Sequence, residues 1–235
     1  MNVRWRAHRK INSYATMSSV EADFDRLALM DDEGWTANNH YHNSLLQQVP
    51  HDCENALEIG CGTGAFARQL AQRCRRVVAL DLSAEMVRVA RSRSSQLANL
   101  EFELADAMTW DFPQAHFDFI CSIATLHHTE QRPLLMQMRD ALTPGGILVV
   151  LDLVESSGLV ERMVDVVGFA VSGALRLIHN GRLKAPAEVR KAWEQHGQHD
   201  SYLTVSEVRA LADEILPGAK VTRCLLWRYL LVYQK

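Results

Sequence analysis

No charge of one sign dominates this chain: 25 lysines and arginines stand against 28 aspartates and glutamates, for a net charge of −3. Such a balance provides no strong field for gathering nucleic acid, and none is expected as a partner. Cysteine is scarce and carries no pairing pattern. The five, Cys53, Cys61, Cys74, Cys121 and Cys224, include no C-x-x-C, which excludes a zinc knuckle or a thioredoxin-type motif, and no metal site is expected. Most lie in or beside apolar runs, where a free thiol packs as a small hydrophobe, so a reducing cytoplasm is the expected compartment. A long unbroken apolar run is also missing. Residues 159–178 carry Glu161, Arg162, Asp165 and Arg176, which predicts an amphipathic helix and no membrane span. The basic start, residues 1–10, is followed by no apolar stretch, so no leader peptide is expected. Internal repeats and low-complexity segments are absent as well.

What the chain has is a glycine-rich turn after an apolar run. Ala56-Leu57-Glu58-Ile59 leads into Gly60, Gly62 and Gly64, and a helix is predicted over residues 65–74. Glycine lets the backbone turn sharply and lets a ligand approach it, while a helix start offers unpaired N–H groups. The pattern points to an adenosine cofactor. Gly60-x-Gly62-x-x-Ala65 also fits a dinucleotide fingerprint, with Asp81 close to the position of its ribose-binding acid, so the loop alone leaves the cofactor open.

From residue 55 onward, short apolar runs alternate with helical patterns. Strands are predicted at 56–59, 76–80, 100–104, 117–122 and 147–151, and helices near 65–74, 84–97 and 131–142. The runs at 77–80 and 147–151 have no polar interruption, as strands buried on both faces require. Thr143-Pro144-Gly145-Gly146 reads as a turn between a helix and a strand. A further helix is predicted at 205–215, then two strands at 221–227 and 228–233, forming a tight hairpin or one bent strand. With 235 residues and 48% apolar composition, one domain with a sizeable core is expected.

Four segments together resemble the class I S-adenosylmethionine-dependent methyltransferases. They are Leu57-Glu58-Ile59-Gly60-Cys61-Gly62-Thr63-Gly64; Val78-Ala79-Leu80-Asp81-Leu82-Ser83 with Glu85-Met86; Leu104-Ala105-Asp106-Ala107; and Phe117-Asp118 through Leu126-His127-His128 to Leu142-Thr143-Pro144-Gly145-Gly146. The resemblance covers residues 55–152. It implies an α/β, Rossmann-like, doubly wound and mostly parallel sheet of seven strands with an antiparallel C-terminal strand. Helices precede the sheet, and a helical insert precedes the last helix and strands. The expected layout is a single domain: a helical cap at 1–54, a cofactor core at 55–152, a substrate-covering insert at 153–203 and closing elements at 204–235.

The same resemblance implies S-adenosylmethionine as cofactor, and the residue chemistry agrees. Asp81 can accept two hydrogen bonds from a ribose diol, Leu82 and Met86 can flank an adenine, and Asp106 with Ala107 suits its amino group. An acidic third strand tip favours this cofactor over a dinucleotide. Glu58 can hold the N–H groups of the Gly60-Cys61-Gly62-x-Gly64 loop or an ammonium group. Carried over from the family, Ile123 and Ala124 offer backbone groups near the methionine end. The N-terminal segment supplies Tyr14, Trp35, His40, Tyr41 and His42, of which Tyr41 or His42 is expected to face the cofactor or the acceptor. His127 and His128 follow the fourth strand and are the candidate catalytic bases, or else cap the next helix.

Trp193, His196 and His199 stand near the end of the insert and could reach the acceptor. The apolar stripe Leu159, Met163, Val166, Val167, Ala170 and Leu175 is expected to pack in the core, with an acceptor tunnel or dimer face as the alternative. Arg73, Arg75, Arg76, Arg88, Arg91 and Arg93 read as solvated faces. Ser122-Ile123-Ala124-Thr125 replaces the Asn-Pro-Pro-Tyr type motif of adenine-N6 and glutamine methyltransferases, so a small-molecule acceptor is expected, for a monomer or homodimer. No three-cysteine cluster supports radical use of the cofactor. A nicotinamide-dependent oxidoreductase and a non-catalytic cofactor-binding protein are the competing readings.

Overall fold

The computed structural model describes residues 13–197 and 200–235, with side-chain detail for all of these except residues 13–19 and 160. Seven strands form one sheet: β1 Asn55–Ile59, β2 Arg76–Asp81, β3 Leu100–Leu104, β4 Phe117–Ile123, β5 Leu142–Leu153, β6 Lys220–Cys224 and β7 Arg228–Gln234. The spatial order is β3-β2-β1-β4-β5-β7-β6. β1 pairs in parallel with β2 and β4, β2 with β3, and β4 with β5, whereas β7 runs antiparallel to both β5 and β6. The chain winds outward from β1 in both directions. The tips of β1 and β4 therefore diverge into a crevice, where doubly wound sheets bind ligands.

Side-chain alternation explains the layers. Leu57, Ile59, Ile120, Leu148 and Val150 share one core with α5 (Gln131–Ala141) and α8 (Val205–Ile215). Ala56, Phe119, Cys121, Val149 and Leu151 point the other way, onto Leu45 of α2 (His42–Leu46) and Phe66 and Leu70 of α3 (Ala65–Leu70). Period-two alternation within all-apolar strands buries both faces. α8 opens on a capping box in which the Thr204 side chain accepts from the Glu207 N–H and Glu207 reaches back to the Thr204 N–H. Ser83 caps α4 (Ala84–Arg93) by accepting from the Met86 N–H.

Several boundaries differ from expectation. α3 ends at Leu70 and α4 at Arg93, both short of the predicted ends, because the chain turns back to start β2 and β3. Asn99 holds the first turn by donating to the Ala71 and Cys74 carbonyls. Residues 143–146 form no free turn. They lie within β5, where the register slips between the Phe117–Leu142 and Phe119–Ile147 pairs. Backbone bonds between Gly145, Gly146 and Lys235 keep this segment in the ladder.

The closing strands form a hairpin with residues 225–227 between them, and Leu226 and Trp227 both have a φ of +57°. Such backbone is costly without glycine. It is held here by the buried Arg228 guanidinium, whose Nη1 donates to both of their carbonyls while its other nitrogens donate to Asn38 Oδ1.

The insert departs most from expectation. α6 (Leu159–Asn180) turns its apolar stripe outward: Leu159, Met163 and Val166 are 81%, 70% and 72% exposed, and Phe169 and Ile178 are similarly open. The opposite face, with Gly168 and Ser172, is the buried one, so the core packing expected of the stripe is not found. Among the described residues no helix is long and apolar enough to cross a membrane.

Candidate functional site at the strand tips

The glycine turn follows from its neighbours. The N–H groups of Gly60 and Cys61 both donate to the Leu80 carbonyl at 2.9 Å, which folds the loop back over β2. A Cβ on Gly60 would lie 2.0 Å from Thr125 Oγ1, and one on Gly64 would lie 2.7 Å from the Phe102 ring. A Cβ on Gly62 would meet only Met86 Sδ, at 4.0 Å, so Gly62 is where the bare backbone faces open space. The Gly62 N–H donates to Asp81 Oδ2 at 2.7 Å, and the Ser83 N–H donates to Asp81 Oδ1 at 2.9 Å. Asp81 thus bridges the glycine loop and the start of α4. Burial raises its pKa, and the N–H groups of Ser83, Gly62 and Leu82 offset part of that rise. Each of its oxygens keeps a second acceptor site.

Glu58 lies beneath the loop, 2% exposed, and its Oε2 has no hydrogen-bond partner. Burial pushes its pKa well above the ordinary carboxylate range, Asp81 adds to the rise, and Arg68 works against it. Asp106 at the third tip accepts from the Met108 N–H and is half-buried, with Ala107 and Met108 packed against the core. Ile123 closes β4, and Ala124 beyond it has a φ of +52°. Leu82 is half-buried at the head of α4, while Met86 is buried with Leu27, Ala28 and Ala192. Met86 therefore takes part in helix packing as well as bordering Gly62.

That packing comes from α1 (Ser13–Ala28), which lies on α4 and meets α7 (Ala187–His196). Asp25 of α1 accepts from Ser83 Oγ at 2.6 Å and from the Glu85 N–H at 3.2 Å, adding a second carboxylate beside Asp81. The next segment clasps the loop. Thr63 Oγ1 donates to Asp31 Oδ2 at 2.7 Å, Arg93 Nη1 donates to the same oxygen at 2.6 Å, and Arg68 donates to the Thr63 carbonyl and pairs with Glu33. Burial alone would raise the Asp31 pKa, but the Thr63 and Arg93 hydrogen bonds outweigh it and lower it. Arg93 is thus a clamp in place of the solvated group expected, whereas Arg73, Arg75, Arg76, Arg88 and Arg91 are exposed, Arg91 while donating to the Phe102 carbonyl.

Tyr41 and His42 both have structural partners. Tyr41 donates its hydroxyl to the Leu225 carbonyl of the closing hairpin, and burial pushes its pKa up to about 12. His42 is buried against Phe66 with Nδ1 3.1 Å from Gln69 Nε2, and burial holds its pKa down at about 4. Both sit in α2 or its lead-in turn, whose apolar side faces α3. Trp35 and His40 pair with each other, and Trp35 stacks on His179 at the end of α6. The side chain of Tyr14, and His199, lie outside the described residues.

The histidines converge. His127 Nδ1 lies 2.6 Å from Asp152 Oδ1, and the His127 N–H donates to Asp152 Oδ2 at 2.9 Å. Asp152 sits at the tip of β5 and is 1% exposed. The His128 ring lies tilted against His127, with ring centroids 3.8 Å apart, and its Nε2 lies 3.3 Å from His196 Nε2 of α7. Burial first, then the neighbouring His127 and His196 charges, hold the His128 pKa at about 4. Phe24 of α1 lies edge-on to His128, His196 and Trp193.

The sequence reading missed Asp25, Asp31, Asp152 and Asp200. Only Asp152 carried a signal, as a carboxylate directly after an unbroken apolar strand at a sheet tip. A cavity of about 340 Å³ lies at the opposite end of the parallel strands, among Asn55, Arg76, Asn99 and His116. Another of about 420 Å³ lies between α3 and the end of α6, bordered by Glu33, Trp35, His42 and His179.

Comparison with known proteins gives consistent results. Residues 56–146 match the family model described as a methyltransferase domain. An uncharacterized methyltransferase of Mycobacterium tuberculosis is 32% identical over 204 residues, which is 86% of this chain and 98% of that protein. Among solved structures, the putative methyltransferase of Haloferax volcanii in complex with its Trm112 activator superposes with a TM-score of 0.65 at 17% identity, covering 92% of this chain and 96% of that one. The N-methyltransferase NodS from Bradyrhizobium japonicum, in complex with S-adenosylhomocysteine, gives 0.59 at 20% identity, covering 96% and 99%.

Proposed function

This chain belongs to the class I S-adenosylmethionine-dependent methyltransferases, and from that premise we propose that it methylates a small molecule by in-line displacement. The observation that carries the assignment of the site is the buried, unpartnered Glu58 Oε2 beneath a glycine loop whose Gly62 backbone is left uncovered by side chains. A buried acceptor without a partner is costly, and a cationic amino group at the loop would satisfy it. The donor set fits the cofactor. Glu58 takes its ammonium group, the Gly60, Cys61, Gly62 and Gly64 backbone lines it, and Asp81 receives the ribose diol. Leu82 and Met86 border the adenine, Asp106 and Ala107 serve its amino group, and Ile123 offers backbone near the methionine end.

The cofactor supplies a methyl group already activated on a sulfonium. The protein's own task is position and exclusion of water. α1 and α7 meet over the histidines, and the insert that supplies α7 acts as the acceptor cover. His127 is oriented by Asp152, and with neutral His128 it serves the acceptor end, easing loss of the acceptor's proton. The near-neutral charge and the Ser122–Thr125 sequence after β4 support a small acceptor over nucleic acid.

Calorimetric titration with S-adenosylhomocysteine and with NADH tests the assignment. Micromolar binding of the first and none of the second is the expected result; the reverse would assign the loop and Asp81 to a dinucleotide. Labelled S-adenosylmethionine should then mark the small-molecule fraction of an extract. Label appearing only in protein or nucleic acid would overturn the small-molecule reading.

A further inference from the structure

Between Asp200 and the rings of His127 and His128 the spacing is longer than that of good hydrogen bonds. His127 Nε2 lies 4.0 Å from Asp200 Oδ2, and His128 Nδ1 lies 3.5 Å from Asp200 Oδ1. Both distances exceed a good hydrogen bond, yet one donor atom from each of His127, His128 and Asp200 lies within 4.8 Å of the others. Ligand atoms around a tetrahedral ion with bonds near 2.0–2.1 Å stand about 3.3–3.5 Å apart, so a modest contraction would bring these three onto one centre.

Orientation supports the same point. Asp152 engages His127 Nδ1, which leaves the Nε2 lone pair facing Asp200, the arrangement by which a carboxylate fixes a metal-binding imidazole. The Tyr202 hydroxyl donates to Asp200 Oδ2 at 2.9 Å and steadies that carboxylate. The three side chains are only 5%, 10% and 9% exposed, and Asp23 lies 3.4 Å from the nearby His196. Carboxylates at Asp152, Asp200 and Asp23 thus surround a nest of imidazoles in a partly dry place, which favours a cation.

We propose that His127, His128 and Asp200 bind a divalent transition ion of the zinc class, with at least one coordination position open toward the acceptor. Two imidazoles and one carboxylate suit such an ion better than magnesium or calcium, which prefer oxygen donors. The site stands on this geometry alone. Its use in catalysis rests on the methyltransferase reading: an acceptor oxygen meeting the ion would lose its proton more readily, and His127 would act as a ligand and not as a free base.

The test uses the full chain without an affinity tag, stripped with chelator and titrated with Co²⁺ by visible absorption and calorimetry. One equivalent should bind with a ligand-field band, and Zn²⁺ should displace it. Asp200→Asn and His127→Gln should each weaken Co²⁺ binding about tenfold or more, while His51→Gln in an exposed turn should leave it unchanged. Absence of the band, or binding untouched by both substitutions, would overturn the site. Circular dichroism verifies that each variant is folded; should one fail, His128→Gln takes its place. S-adenosylhomocysteine binding is read on the same samples. A chain that binds it but not Co²⁺ overturns the ion site and leaves the methyltransferase reading standing. One that binds Co²⁺ through these residues but not S-adenosylhomocysteine supports the site and counts against that reading.

Discussion

Gly60 and Gly62 stand two residues apart and answer different demands. Gly60 makes room for Thr125, and Gly62 leaves backbone bare toward the crevice. Gly60→Ala should therefore cost about 2–4 kcal/mol of folding stability, through overpacking and a positive φ. Gly62→Ala should cost only about 1 kcal/mol, for its φ alone, and its main effect should be weaker S-adenosylhomocysteine binding. Chemical denaturation and calorimetry on the two variants separate these outcomes. Asp81→Ala should weaken S-adenosylhomocysteine binding about tenfold or more, by removing a carboxylate from the ribose and freeing the Gly62 N–H. Glu85→Ala, which loses only a surface pair with Arg88, should leave binding unchanged. Equal effects of the two would undo the assignment of Asp81. The glycines and Asp81 were legible in the sequence because their chemistry is local, acting between residues on one strand tip and the turn beside it. Asp25 and Asp31 were not, since a carboxylate in a polar helix carries no mark of what it will touch.

Among the elements, the segment after α1 matters most for the site. Asp31 collects Thr63 from the glycine loop and Arg93 from the end of α4, tying three pieces of chain together. Asp31→Ala removes the carboxylate shared by Thr63 and Arg93, while Arg93 keeps the backbone carbonyl of residue 31, and should cost about 1–3 kcal/mol. Hydrogen exchange should quicken in residues 31–35 and in the glycine loop, with β4 and β5 unaffected. Uniform loss of protection would mean that the clasp supports the whole fold and not the loop. α6 shows the limit of pattern reading at this scale. Its apolar period was read correctly as a helix, but periodicity states that one face is apolar, not that this face is buried. The Gly168 and Ser172 side packs inward, close to the Leu226 backbone, because small residues allow the helix to approach the hairpin. The strained Leu226 and Trp227 were likewise invisible in sequence, since the Arg228 that holds them is an ordinary arginine until it is buried.

Across the whole molecule, acid should act partly through His42. The unfolded chain takes up a proton there below its ordinary value of 6.5, whereas burial delays protonation in the folded chain to about 4. Below 6.5 the unfolded state therefore binds more protons, and stability falls as pH drops through this window, by up to about 3 kcal/mol from this group. His42→Gln should flatten the pH dependence of the denaturation midpoint between pH 6.5 and 4. An unchanged slope would assign the acid sensitivity to other groups.

The sequence by itself determined the alternation of strand and helix from residue 55, the position of the glycine loop and the acidic second and third strand tips. These are written in short-range periodicity and turn chemistry, which tertiary contacts reinforce but do not create. The tertiary structure alone decided which distant groups meet: α1 over α4, Asp152 behind His127, and Asp200 and His196 against His128. Those contacts join residues far apart in the chain, 68 positions between His128 and His196 and many more between Asp23 and His196. Their selection depends on how whole elements pack, and no local pattern of residues encodes that.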